Sequence, residues 1–511
     1  MSPANGRRLS KVRITAVVLV VATAMAGGWM FLRAKEYEAN AAVVTSSFAP
    51  YVDVTATPQY AFEGTAGSSP TSAVLSFVVS APDAACEPSW GGAYSLGGAA
   101  DGLDLDRRVA RLRQLGGEVT ISFGGAANSE LSIGCTDQAQ LTSAYQSVVD
   151  RYSVTSIDLD IEGAVASDPA VSKRRAESIA AVATAQAAAG KQLEIWLTLP
   201  VGAAGLTEEG QGVLAAMLAA NVDVAGVNGM TMDYGVPLPA GTTMADQGEL
   251  ALTALQQQIM AAFGAAGTTL SDAQAWQRTG ATPMIGQNDI AGEVFGLDDA
   301  HQLVAFAELH QLARVSMWSA NRDQDCGPNY PNVTMVSDAC SGVAQSAGEF
   351  AAILAEVASD QAPAATSTPS TTTQQPTTVS SMIDDPATSP YPIWNANQSY
   401  AKGTETVWRR NVYQAKWYTT GDQPDLPVAT ADLTPWTLIG PVLPGETPVA
   451  TPTLAAGTYP EWTATDVYVA GSRVLLDGVG YQAKYWTQGT TPGAPPTKPG
   501  ETSPWEPLAG S

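Results

Sequence analysis

Between Ser47 and about Ala355 the chain alternates short β-branched apolar runs with longer Ala-rich stretches whose apolar residues recur at helical spacing. The apolar runs predict strands at Phe48–Val54, Ala73–Val79, Glu118–Phe123, Ser156–Asp160 with a continuation to Glu162, Leu193–Leu199, Val224–Met232, Thr282–Gly286 and Ala313–Trp318. Helices are predicted at Leu105–Leu115, Leu141–Arg151, Ser172–Ala189, Glu209–Ala220, Glu249–Phe263 and Ala300–Leu312. This alternation implies an α/β domain of the (β/α)8 TIM barrel kind, with a doubly wound open sheet as the alternative. In a barrel the reacting groups gather at the C-terminal ends of strands. Ser122, Asp160, Glu162, Asp233, Tyr234, Gln287 and Trp318 all fall at or just beyond such ends, whereas the strand beginnings are largely apolar.

One run breaks the apolar rule. Ser156-Ile-Asp-Leu-Asp-Ile-Glu-Gly163 places Asp158, Asp160 and Glu162 at strict alternation, so a strand projects all three onto one face while Leu159 and Ile161 face a covering layer. Like charges so close repel, and at least one carboxyl should keep its proton to unusually high pH, which is how a general acid is made. A solvated strand face or a calcium-binding cluster is the plainer reading. Calcium loops, however, draw on turn residues and carbonyl oxygens that an alternating β-branched strand does not supply.

Beyond the barrel the pattern changes. From Gln361 to Ser380 the chain is dominated by Thr, Ser and Pro and carries no charge, which reads as an extended linker. Two copies of one small module follow. Tyr391-Pro392-Ile393-Trp394 recurs as Tyr459-Pro460-Glu461-Trp462, and Tyr400, Gly403 and Tyr413 recur as Tyr468, Gly471 and Tyr481. Gln414 to Tyr418 recurs as Gln482 to Trp486, and Pro435-Trp436 as Pro504-Trp505. Each copy places adjacent aromatics, Trp417 with Tyr418 and Tyr485 with Trp486, on a predicted strand, where one ring of each pair fills a core and the other is a stacking platform. Duplication behind a flexible linker favours binding to a repetitive ligand. The boundaries implied are 1–42 for an N-terminal segment, 43–360 for the barrel, 361–388 for the linker, 389–440 and 457–511 for the modules, and 441–456 for a second linker.

Composition narrows the ligand and the compartment. Lys and Arg total 25 against 49 Asp and Glu, a formal charge of −24, which argues against nucleic acid and anionic membrane and favours a neutral polymer or small molecule. Arg7, Arg8, Lys11 and Arg13 precede an uncharged stretch from Ile14 to Leu32, closed by Arg33 and Lys35. This is an export signal, either a cleaved signal peptide or an uncleaved membrane anchor, and both place the rest of the chain outside the cytoplasm. Outside the cytoplasm the four cysteines are expected to pair, Cys86 with Cys135 and Cys326 with Cys340 by proximity. His301 and His310 are the only histidines and both read as helix residues, so neither a Ser-His-Asp triad nor a zinc site is implied. No cofactor or metal is expected, and the chain is expected to act as a monomer.

The run from Asp158 to Glu162 resembles the DxDxE signature of glycoside hydrolase family 18, the chitinases. Ser122-Phe123-Gly124-Gly125 is similar to that family's SxGG strand, Met230-Thr231-Met232-Asp233-Tyr234 stands at its sixth-strand motif, and Ser316-Met317-Trp318 resembles its eighth-strand tryptophan. Tyr413–Tyr418 and Tyr481–Trp486 resemble chitin-binding modules of carbohydrate-binding families 5 and 12. The resemblance implies a secreted enzyme that cleaves β-1,4 bonds between N-acetylglucosamine units of chitin with retention. It makes Glu162 the general acid, Asp160 the group that orients the sugar's acetamido nucleophile, and Asp158 its proton-sharing support. Tyr51, Ser122, Met232, Asp233, Tyr234, Gln287 and Trp318 form the implied substrate-binding set, with Trp417, Tyr418, Trp436, Tyr485, Trp486 and Trp505 in the modules. Two positions depart from the family pattern. Thr155 replaces a leading Asp, and Met232 stands where a tyrosine is expected, leaving Tyr234 and Gln287 as candidates to contact the acetamido oxygen. A catalytically silent chitin-binding lectin and an endo-β-N-acetylglucosaminidase acting on another glycan are the alternatives.

Overall fold

The computed structural model describes residues 46–64, 72–163, 168–235, 238–239, 241–328, 330, 335–358, 384–426, 433–448, 453–493 and 503–508. The N-terminal segment 1–42 and most of the linker 361–388 lie outside the described residues.

The strands of the large domain, in chain order, are β1 (Ser47–Phe48), β2 (Tyr51–Asp53), β3 (Ala73–Ala81), β4 (Ala84–Trp90), β5 (Tyr94–Ser95), β6 (Val119–Gly124), β7 (Ser156–Asp160), β8 (Glu194–Gly202), β9 (Gly205–Leu206), β10 (Val224–Met230), β11 (Thr279–Thr282), β12 (Gly286–Gln287), β13 (Val294–Phe295) and β14 (Arg314–Val315). Strands β3, β6, β7, β8, β10, β11 and β14 pair in parallel in that order. The segment holding β1 and β2 bonds in parallel to β14 with its first part and to β3 with its second. Helices separate most of these strands, the longest being Gln138–Tyr152, Pro169–Ala188, Met244–Ala265 and Leu297–His310.

Several boundaries differ from those the pattern predicts. Five helices begin earlier, in three of them because side chains upstream of the apolar stripe satisfy the free N–H groups of the first turn. Asp137 accepts from Gln140, Asp168 precedes a proline at the first helical position, and Thr243 forms a reciprocal capping box with Asp246. The seventh parallel strand runs over Thr279–Thr282 rather than Thr282–Gly286, where Gly280 masks it and Pro283, which has no N–H, follows it. The β4–β5 hairpin, which folds back antiparallel on β3, escaped the sequence pattern because its burial is only partial.

Strand β7 shows why the domain tolerates acids in its middle. Ile157 and Leu159 are fully buried in the main apolar cluster, each side chain contributing about 2–3 kcal/mol relative to an exposed one. Asp158 and Asp160 point the other way and are also buried. Glycine is required beside them: a Cβ on Gly124 would sit 2.1 Å from the Asp160 carbonyl oxygen, and one on Gly125 would meet the Phe77 ring at 2.7 Å. The Gly-Gly pair at the end of β6 therefore lets two strand ends and an aromatic ring close together.

The loop after β6 is fixed by buried Glu130, which accepts from the Tyr145 hydroxyl, from Ser132 and from Arg175 at 3.3 Å. The Cys86–Cys135 and Cys326–Cys340 disulfides form as expected.

The C-terminal copies fold alike. In the first unit Glu405–Trp408, Asn411–Ala415 and Trp436–Pro441 form an antiparallel sheet, with Ser399–Tyr400 paired to Thr419–Thr420. The second repeats this with Arg473–Leu476, Val479–Ala483 and Trp505–Pro507, and with Val467–Tyr468 paired to Thr487–Gln488. The first unit is longer than its sequence boundaries suggest, since Asp384 accepts from Arg409 and Arg410 backbone N–H groups and Val442 joins its core.

Replacing Arg175 by methionine leaves Glu130 buried without its cation. The variant is expected to lose about 3–5 kcal/mol of stability, read as a lower urea midpoint at unchanged slope; an unchanged midpoint would show that the pair does not hold the loop.

Candidate active site

Asp158 is fully buried at the centre of the site. The Tyr51 hydroxyl (2.8 Å) and the Ser122 hydroxyl (2.7 Å) donate to its Oδ2, and the Thr198 hydroxyl (2.6 Å) donates to its Oδ1. Asn228 braces this ring by donating to Thr198 at 3.1 Å and to Thr282 at 2.5 Å. Each hydroxyl comes from a different strand or strand end, so the network forms only when the parallel sheet brings them together. Tyr51 and Ser122 were expected to contact substrate. They are 1 % and 0 % exposed and are committed to Asp158, so they support the carboxylates from behind.

Asp160 ends β7 with its carboxyl buried and its Oδ1 without a hydrogen-bond partner among the described residues. Desolvation, then Glu162, then Asp158 push it well above the ordinary carboxyl range. Glu162 lies just past the strand, half-buried, with its carboxyl pushed up to about 7 by desolvation first and by Asp233 and Asp289 next. The spacing thus does what the alternation implied: both carboxyls are pushed toward the protonated form, Glu162 to about 7.

The sixth-strand region resolves in an unexpected way. Asp233 takes a left-handed conformation (φ 46°), its N–H donates to Asn288 at 3.4 Å, and its Oδ1 accepts from the Ile290 N–H at 3.1 Å. Glu293 accepts from the N–H groups of Tyr234 (2.9 Å) and Gly235 (3.1 Å). These bonds turn Tyr234 away from the carboxylates. Its hydroxyl is buried and lies over Gly248 of helix Met244–Ala265. Met232 is also buried, whereas Gln287 is partly exposed. Trp318 stacks on Phe77 with ring centroids 5.4 Å apart and meets Tyr51 at 6.2 Å.

Phe77, Thr198, Asn228 and Asp289 belong to the site and were missed in the sequence. Thr198 and Asn228 did carry a signal, each being a lone polar residue inside an otherwise apolar parallel strand, where an unpaired polar group would be costly.

In the C-terminal units Trp417 and Tyr418 are both exposed, as are Tyr485 and Trp486. Each pair sits in a bend rather than in a strand, so strand alternation does not bury one ring of two. The cores are filled instead by Tyr400 with Trp436 and by Tyr468 with Trp505, edge to face at 5.0 Å. Trp436 and Trp505 are buried, and their indole N–H groups donate to Asp422 and Thr490 carbonyls, so neither is a stacking platform.

Carbohydrate-binding module family 5/12 matches residues 461–506. The chain is 36% identical over 258 residues to the probable bifunctional chitinase/lysozyme of Escherichia coli, covering 50% of this chain and 28% of that protein. It is 36% identical over 222 residues to endochitinase 11 of Metarhizium anisopliae, covering 42% of each. The chain thus spans less than half the length of these curated relatives. Among solved structures, active domain 2 of a chitinase from Pyrococcus furiosus matches with 28% identity and a TM-score of 0.51, over 61% of this chain and 95% of that domain. The large domain is thus similar in sequence and in fold to chitinase domains, and residues 461–506 match a family 5/12 carbohydrate-binding module.

A carboxyl whose folded pKa lies above its ordinary 4.5 binds more protons folded than unfolded in between, so Glu162, raised to about 7, lowers stability as pH rises through that window. Glu162→Gln is expected to exceed the native protein in stability by about 2–3 kcal/mol above pH 7, and to lose that advantage below pH 4.5. Chemical denaturation at the two pH extremes measures this, and a pH-independent difference would remove Glu162 from the titrating set.

Proposed function

We propose that the protein is a chitinase that hydrolyses β-1,4 bonds between N-acetylglucosamine units with retention, through attack by the substrate's own acetamido group. The observation that carries this reading is the carboxyl pair at the end of β7: a proton-holding Glu162 at the rim, and beside it Asp160 with a free oxygen. Glu162 gives its proton to the glycosidic oxygen as that C–O bond breaks. The acetamido carbonyl oxygen bonds to the anomeric carbon, forming an oxazolinium ion, and positive charge grows on the acetamido nitrogen. The N–H of that group donates to the free Oδ1 of Asp160. Water then attacks the anomeric carbon as the bond from the acetamido oxygen breaks, reopening the ring to the neutral acetamide, and gives its proton to Glu162, restoring the acid. Phe77 and Trp318 supply an apolar floor for the sugar ring. Asp158 contributes through Asp160 alone, since its own oxygens are taken by three hydroxyls.

The domain works as a closed (β/α)8 barrel in this reading, with both C-terminal units as chitin-binding modules and the chain as a monomer. Residues 1–42 export it, as a cleaved signal peptide or as an anchor on the outer face of the membrane. The two disulfides suit that compartment.

Glu162→Gln is expected to lower turnover of chitin hexamer by at least about a thousandfold while leaving adsorption to solid chitin unchanged. Native turnover by the variant would overturn the assignment of the acid. The first-formed product of the native enzyme should be the β-anomer; an α-anomer would exclude the acetamido route. Cleavage of peptidoglycan in preference to the hexamer would favour the lysozyme activity named for the E. coli relative. Trp417→Ala combined with Trp486→Ala should reduce hydrolysis of insoluble chitin and spare soluble oligomers, and equal loss on both would make these rings structural.

A further inference from the structure

Helix Leu105–Gln114 holds two buried arginines that face different neighbours. Arg108 donates to Glu63 at 3.0 Å and to the Tyr60 carbonyl, and it lies over the Phe62 ring, fixing the segment that follows β2. Arg107 reaches out of the domain. Its Nε donates to Asp104 at 3.1 Å, and its Nη1 donates to the Pro441 carbonyl at 2.8 Å and to Glu446 Oε2 at 3.0 Å. Its Nη2 donates to Glu446 Oε1, which makes the pair bidentate. Glu446 Oε2 also accepts from the Leu443 N–H at 2.6 Å. Burial pushes the Asp104 carboxyl up to about 6, with Glu405 and Glu446 of the first unit among the charges that raise it.

The backbone fits as closely as the charges. A Cβ on Gly440 would lie 2.8 Å from both Cγ and the carbonyl oxygen of Arg107, and 3.2 Å from the Arg111 Cβ. Glycine at 440 thus lets the last strand of the first unit lie against the helix. Aligning the repeats on Trp436 and Trp505 puts Ala509 at that position in the second copy.

The place of this joint gives it meaning. The helix leads into β6, which is parallel to the other strands, so the helix runs opposite to them and its first turn lies at their C-terminal ends. Asp104 and Arg107 are therefore at the end of the domain that carries Asp160 and Glu162.

We propose that the first unit is clamped to the active end of the β/α domain through Arg107, Glu446 and Gly440, so that Trp417 and Tyr418 hold a fixed position relative to Glu162. The clamp stands on the contacts alone; its use on chitin rests on the function proposed above. A flexible tether would let the exposed aromatics search for polymer anywhere within its reach, whereas a clamp makes them a fixed extension of the cleft and sets the direction in which a bound chain can lie.

A site-specific protease sequence inserted between residues 359 and 383 of the full chain allows the test. After cleavage, the fragment carrying residues 384–511 should co-elute with the β/α domain on size exclusion. In Glu446→Lys and in Gly440→Val the cleaved fragments should separate, with affinity lower by about thirtyfold or more. Adsorption of each released fragment to chitin and hydrolysis of soluble hexamer by each variant report that both parts remain folded. Separation of the native fragments, or retention of the complex by both variants, would overturn the clamp. In the uncleaved chain Glu446→Lys should slow hydrolysis of insoluble chitin several-fold and leave soluble hexamer unaffected, and unchanged rates on both would overturn its role on polymer. Co-elution without any chitin hydrolysis would count against the proposed reaction and leave the clamp standing.

Discussion

Asp158 sits at zero exposure in the middle of an apolar domain, and the hydroxyls of Tyr51, Ser122 and Thr198 are what make that position tolerable. Burying a carboxylate without partners costs several kcal/mol; three hydroxyls on three different strand segments offset that cost. The same bonds tie the segments to one another at the end where chemistry is proposed. Asp160 cannot share this supply. Two residues along the strand, it meets Asp158 behind and Glu162 in front, has its carboxyl pushed upward by both, and is left with one oxygen free. The reactive character of the outer pair is thus a consequence of how well the inner acid is satisfied.

Backbone geometry serves the same end. Gly124 and Gly125 permit a strand end and the Phe77 ring to come within a distance that any side chain would block. Glu130 and Arg175 fix the loop beyond, and the Cys86–Cys135 bridge fastens its far side. The bonds from Asn288 and Glu293 to the sixth-strand end hold Asp233 near Glu162 and send Tyr234 into the apolar layer. The position at which the family pattern has a tyrosine is filled here by buried Met232, with the Asp233–Asp289 pair contributing to the raised Glu162.

The C-terminal units separate core from platform by a simple division. Rings on the sheet, Trp436 and Trp505, pack edge to face and spend their N–H groups on carbonyls, whereas rings in the bend before the short outer strand stay in solvent. Adjacent aromatics in a bend can both be exposed, which adjacent aromatics in a half-buried strand cannot. The first unit adds a face that fits the helix Leu105–Gln114, so two copies of one fold have come to differ in what their backs can touch.

Alternation of strand and helix, the three carboxylates on one strand face, the Gly-Gly pair and the repeated aromatics were all legible along the chain, because each depends on local periodicity or on residues near in sequence. Both disulfide pairs followed from proximity for the same reason. What the chain could not disclose was which side chains meet across strands. Tyr51, Ser122, Thr198 and Asn228 are far apart in sequence and converge only through parallel register, so two of them read as substrate contacts and two went unnoticed. The direction of Tyr234, the burial of Trp436 and Trp505, and the meeting of Arg107 with Glu446 were likewise decided by tertiary packing. Sequence determined the kinds of groups available and their spacing along each element; the fold alone determined which of them face one another, because burial and hydrogen-bond satisfaction are properties of neighbours in space.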